Sequence, residues 1–68
     1  MYIIGYTRVM PSDVEFPRVR KMLEAKGYRL ARIHGSHHIF VRPGCRTESI
    51  LVHRGRVKPA YVRKVEKL

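Results

Sequence analysis

Four histidines, His34, His37, His38 and His53, fall within a stretch of twenty residues. An imidazole can ligate a metal ion or exchange a proton near neutral pH, so both chemistries need weighing. The metal reading is thin. His37 and His38 are neighbours, and neighbours in a strand point to opposite faces, so the two do not readily share one ion. Glu48 is the only nearby acid and Cys45 the only cysteine, which also excludes an internal disulfide and a cysteine-rich zinc site. We expect no metal and no other cofactor.

The second reading is cleavage of RNA without a metal. The ribose 2′-OH is then the nucleophile. The protein has to take its proton, protonate the departing 5′ oxygen and stabilise negative charge on the phosphorane. Histidine can perform either transfer, and Arg or Lys supplies the electrostatic part. A strand that opens Gly35-Ser36-His37 presents the imidazole beside a turn whose backbone is accessible to a phosphate. His53, at the end of the next predicted strand, can sit near it. Glu48, His53 and the basic residues are the candidates for a second proton carrier or a charge stabiliser, and residue type alone does not choose among them.

The charge balance points to the same class of partner. The 68 residues hold 15 Lys+Arg against 5 Asp+Glu, a formal net charge of +10. A surface this basic attracts polyanions, because each neutralised phosphate releases condensed counterions. The basic residues run from Arg8 through Arg18, Arg20, Lys21, Lys26, Arg29 and Arg32 to Lys58, Arg63, Lys64 and Lys67. That spread suits a folded backbone-binding surface better than a disordered basic arm. Arg32, Arg42 and Lys58 are our candidates for contacts to RNA.

Length sets the scale. A domain near 60 residues buries only about 60% of its unfolded surface, which leaves room for one thin core and no deep cofactor cleft. The apolar fraction is 44%, too high for a disordered tail. The longest apolar run is the four residues Met1 to Ile4, so we expect no membrane span, no secretory signal and a cytoplasmic protein.

The elements that must carry the histidines can be read from periodicity. Residues 1–12 form an N-terminal extension of uncertain structure. Met1 to Val9 suits an edge strand that can pair with another copy, so the free protein is expected to be a monomer or small homo-oligomer. The domain proper is expected over 13–68. Phe16, Val19, Met22 and Leu23 share one helical face. Pro17 suits a helix start and Gly27 a helix end, while Ser12 and Glu15 offer a capping box one turn earlier. The helix is predicted from about 13–17 to 26. Tyr28 to His34 alternates, with Tyr28, Leu30, Arg32 and His34 on one side and Arg29, Ala31 and Ile33 on the other. Gly35-Ser36 marks a turn, His37 to Arg42 a returning strand, and Glu48 to His53 a third strand. Arg54-Gly55-Arg56 is predicted as a loop. Pro59 then opens a helix with Tyr61, Val62, Val65 and Leu68 on one face. The expected fold is α+β: an α-β-β-β-α domain with an antiparallel three-stranded sheet and two helices on one face. This is also the order of double-stranded RNA-binding domains, which read shape and backbone.

Gly35-Ser36-His37-His38-Ile39-Phe40, followed by Arg42-Pro43-Gly44, resembles the signature of the HicA/YcfA family of toxin components. Leu23-Glu24-Ala25-Lys26-Gly27-Tyr28 is similar to the family's first helix end, Leu51-Val52-His53 to its third strand, and Lys58 to Val65 to its last helix. Val52 stands where the family carries a proline, and Pro59-Ala60 where it carries a threonine. The resemblance spans roughly residues 16 to 68. It implies a domain of double-stranded RNA-binding type acting as an mRNA interferase, neutralised by a HicB-like antitoxin that covers the active face. It places the catalytic histidine at His37. Gly35 and Ser36 would shape the site, with Ser36 a hydrogen-bond donor to phosphate. His38 would face the opposite way with Phe40, as a packed and hydrogen-bonded side chain.

Overall fold

The first helix ends where its sequence stops supporting it. In the computed structural model, which describes residues 13–68, α1 covers Phe16–Ala25, and Gly27 follows at φ +90°. The Gly27 N–H donates to the Glu24 carbonyl and the Tyr28 N–H to the Leu23 carbonyl, both at 3.0 Å. These are the two bonds of a Schellman cap, and Tyr28 and Leu23 are both buried beside it. A Cβ at Gly27 would lie 3.2 Å from Nε of the exposed Arg42 side chain, which can shift to admit it, so it is the positive φ that calls for glycine here. The expected edge strand over Met1 to Val9 and the Ser12 capping box lie outside the described residues.

The start of α1 at Phe16 falls within the predicted span of 13–17. Glu15 is the N-cap, without a side-chain cap bond, and Pro17 lies in the first turn. Val14–Glu15 forms a short strand, β1, and the Phe16 N–H donates to the Gly55 carbonyl at 2.8 Å. Its partner comes from the segment predicted as a loop. Arg54 (φ +54°) and Gly55 (φ +75°) make a two-residue turn. His53 and Arg56 exchange both backbone hydrogen bonds across it at 2.9 Å. Two successive positive-φ residues are what a type I′ hairpin turn requires. Arg56–Val57, the last strand of the chain and labelled β5, then pairs antiparallel with Val14–Glu15.

The main sheet is β2 (Arg29–His34), β3 (His37–Val41) and β4 (Glu48–Leu51), in the order β2-β3-β4. The last helix, α2, covers Pro59–Glu66. The architecture is the α+β, α-β-β-β-α arrangement with an antiparallel three-stranded sheet. Val19 and Leu23 of α1, Val65 of α2, Phe40 and Ile50 of the sheet, and Val57 of β5 form one buried cluster. Both helices thus cover the same face of the sheet. Lys26, at the end of α1, donates from Nζ to the Glu66 carbonyl at 3.3 Å, which ties the two helices together at their C-terminal ends.

One expectation about the sheet needs correction. Straight alternation put Leu30, Arg32 and His34 on one side. The register instead shifts between Leu30 and Arg32, with Leu30 opposite Phe40 but Arg32 opposite Ile39. Ala31 is the extra residue of a bulge, and a one-residue slip moves every later side chain to the other face. Leu30 therefore stays on the helix-covered inner face, while Arg32 and His34 move to the outer one.

Candidate functional site

The outer face of the sheet is assembled in rows by its register. His34, His37 and Leu51 form the first row. Arg32, Ile39 and Ser49 form the next, and Arg29 with Val41 the last. Every polar member of these rows is exposed, whereas Ile39, Val41 and Leu51 are half-buried. The face is thus a thin apolar floor studded with two histidines, two arginines and a serine. No carboxylate shares it, because Glu48, the only acid in the three strands, lies on the inner face opposite Phe40.

His37 sits where the sequence predicted, at the first position after the Gly35-Ser36 turn. Gly35 has φ +56°, the sign a two-residue hairpin turn needs at its first position. A Cβ at Gly35 would meet nothing within 4 Å, so its role is in the turn's conformation and its surroundings are open. His37 is exposed, and its Nδ1 lies 3.3 Å from Ser49 Oγ on the neighbouring strand. That contact engages one ring nitrogen, and a partner on one nitrogen of an imidazole sets the role of the other. The Ser36 carbonyl accepts from the Val52 N–H at 2.8 Å, which anchors the turn to the end of β4.

The other candidates separate clearly. His38 is on the inner face, opposite Ile33 and Ile50. Its ring packs on Phe16 at 4.5 Å between centroids. It is packed as expected, but its Nδ1 is buried without a hydrogen-bond partner among the described residues, which corrects the expectation of a hydrogen-bonded histidine. Glu48 is buried, with Lys64 Nζ 3.3 Å from its carboxylate, and does not reach the face that carries His37. His53 is exposed and lies two residues beyond Leu51, with its backbone engaged by Arg56. Val52, bonded to the Ser36 carbonyl, brings that segment alongside the hairpin turn. Lys58 is the N-cap of α2, 3.9 Å from Asp13.

Arg42 follows the far end of β3, five residues from His37, or about 16 Å along a strand. Its guanidinium lies over the Tyr28 ring, 6.0 Å from the centroid. Burial there pushes the Tyr28 phenol above its ordinary value, helped by the charge and hydrogen bond of Cys45 and by Glu48, while Arg42 pulls the other way. Arg42 thus packs at the opposite end of the sheet from His37, and Arg32 is the candidate arginine that shares the histidine's face.

From sequence, His34 is one of four histidines with no role of its own assigned, and Ser49 is not singled out at all. The two-residue turn was legible, and it alone sets His34 opposite His37. Simple alternation through Ala31 put His34 on the same face as Leu30 and so hid which face the pair shares. Ser49 has no such signal, because the six residues between β3 and β4 do not determine a register. Among the described residues, no three His, Cys, Asp or Glu side chains converge to hold a metal ion. No helix among them is long and apolar enough to cross a membrane.

The family model described as "HicA toxin of bacterial toxin-antitoxin" matches residues 16–68, from the first residue of α1 onward. No curated protein and no solved structure matches the chain.

Proposed function

The chain belongs to the HicA toxin family of bacterial toxin–antitoxin systems, and from that premise we propose that it is an endoribonuclease, an mRNA interferase that uses His37 in place of a metal ion. The observation that carries this reading is the placement of His37. It is exposed at the turn end of a hairpin, with one ring nitrogen against Ser49 and with Arg32 in the next row of the same face. The basic surface supplies the attraction to RNA, and Arg32 lies where it can stabilise charge developing on a phosphorane. Gly35 and Ser36 shape the turn beside the scissile phosphate. Lys58, His53 and Arg42 extend the basic surface away from it.

A HicB-like antitoxin is the proposed partner. It would act by covering the outer face of the sheet, whose lack of carboxylates suits an acidic protein surface. The proposed site of action is cytoplasmic mRNA.

The test is incubation of the purified protein, beside His37→Ala, with labelled mRNA in EDTA. We expect cleavage by the wild type, ending in a 2′,3′-cyclic phosphate, and a loss of about 10²–10⁴-fold in the variant. Salt-dependent binding by both proteins without cleavage would overturn the reading and leave a non-catalytic double-stranded RNA-binding module.

A further inference from the structure

Cleavage through the 2′-OH needs two proton transfers, and His37 accounts for one. We propose that His34 is the second proton-transfer residue, acting across the β2–β3 hairpin on the same phosphodiester as His37. This rests on the ribonuclease reading and adds to it the identity of the missing group.

The register carries the inference. His34 and His37 are directly opposite one another at the two ends of the Gly35-Ser36 turn. Opposed residues of an antiparallel pair point to the same face, with Cβ atoms about 4.5–5.5 Å apart. Both residues are exposed, and the half-buried Leu51 completes their row. Two imidazoles thus rise side by side from an open turn, spaced to flank one phosphate. Arg32 is two residues from His34 on the same strand face, where its charge can meet the non-bridging oxygens.

The other candidates do not have this placement. Glu48 is held on the inner face by Lys64. His53 lies two residues beyond Leu51, outside β4 and its ladder with β3, so no register pairs it with His37. The groups facing His34 are His37 across the hairpin and Arg32 along its own strand, with Arg29 farther along that strand; no acid of β2, β3 or β4 shares the face.

The reaction balances with these two groups. One histidine, neutral, takes the 2′-OH proton as the 2′ oxygen bonds to phosphorus. The other, protonated, gives its proton to the 5′ oxygen as the phosphorus–5′ oxygen bond breaks. The products are a 2′,3′-cyclic phosphate and a 5′-OH, and the two histidines exchange protonation states, which solvent then resets.

The experiment compares the full chain with His34→Ala and His34→Gln on labelled RNA in EDTA, at pH values spanning the histidine range, about pH 5 to 8. For the wild type we expect a bell-shaped dependence of kcat. His34→Ala should lower kcat about 10²-fold with little change in KM, and one limb of the bell should disappear. His34→Gln, which keeps hydrogen bonding but cannot titrate there, should behave like the alanine variant. Wild-type rates in His34→Ala, a uniform loss with both limbs intact, or rescue by His34→Gln would each overturn the proposal while the ribonuclease reading stands. Absence of cleavage by the wild type would overturn both.

Discussion

His37 and His38 are consecutive residues of one strand with opposite circumstances. His37 stands in the open, on a face that holds His34, Arg32, Arg29 and Ser49 and no carboxylate. His38 turns inward, its ring against Phe16 and its Nδ1 buried without a partner among the described residues. The pleat separates them. The outer face has polar groups at every row and only a thin apolar floor, so it contributes little to stability and is open to a ligand. The inner face holds Phe40 and Ile50, both fully buried, against residues of both helices. A two-faced sheet lets a domain this small keep an open polar face and its core within the same few residues.

The contrast can be broken from the inner side. Phe40→Ala should cost about 3–5 kcal/mol, comparable with the roughly 3–5 kcal/mol that one core supplies at this size. Chemical denaturation should find that variant largely unfolded. His37→Ala, the outer counterpart, should unfold at the wild-type denaturant concentration. If the two variants were equally destabilised, the division between the faces would be wrong.

A smaller effect sharpens the comparison. His38→Leu replaces an inward imidazole with an apolar side chain of similar bulk and removes an unsatisfied buried nitrogen. We expect a gain of about 1 kcal/mol, read as a rise of roughly 4–8 °C in Tm, with RNA cleavage unchanged. A loss of cleavage matching that of His37→Ala would show that the inner histidine takes part in the chemistry.

The smallest effect belongs to the outer face. Arg32→Ala should leave stability within about 0.5 kcal/mol of wild type and reduce the salt dependence of RNA binding by about one unit of log–log slope. A salt slope unchanged from the wild type would remove Arg32 from the RNA-facing surface.

Much of the fold was legible before any coordinates. Pro17 and Pro59 mark helix starts, Gly27 marks a helix end, and Gly35-Ser36 marks the hairpin that presents His37. These are local signals, because each acts on the backbone of its own few residues. The small β1–β5 ladder was not legible. It joins residues 14–15 to residues 56–57, and no pattern inside either dipeptide announces a partner more than forty positions away. Arg54-Gly55 read as a generic loop because the pairing it serves is invisible until Val14 and Val57 meet.

The site divides along the same line. Residue types and their order were enough to nominate His37, to exclude a cysteine-rich metal centre and to predict a basic, RNA-directed surface, because charge and proton chemistry belong to side chains wherever they fold. The neighbours of His37 were decided by tertiary pairing. The bulge at Ala31 reverses the faces of Arg32 and His34, and the β3–β4 register brings Ser49 to within 3.3 Å of the His37 ring. Both depend on hydrogen-bond ladders between strands, and a ladder's register is set by which apolar residues of two different segments can be buried together.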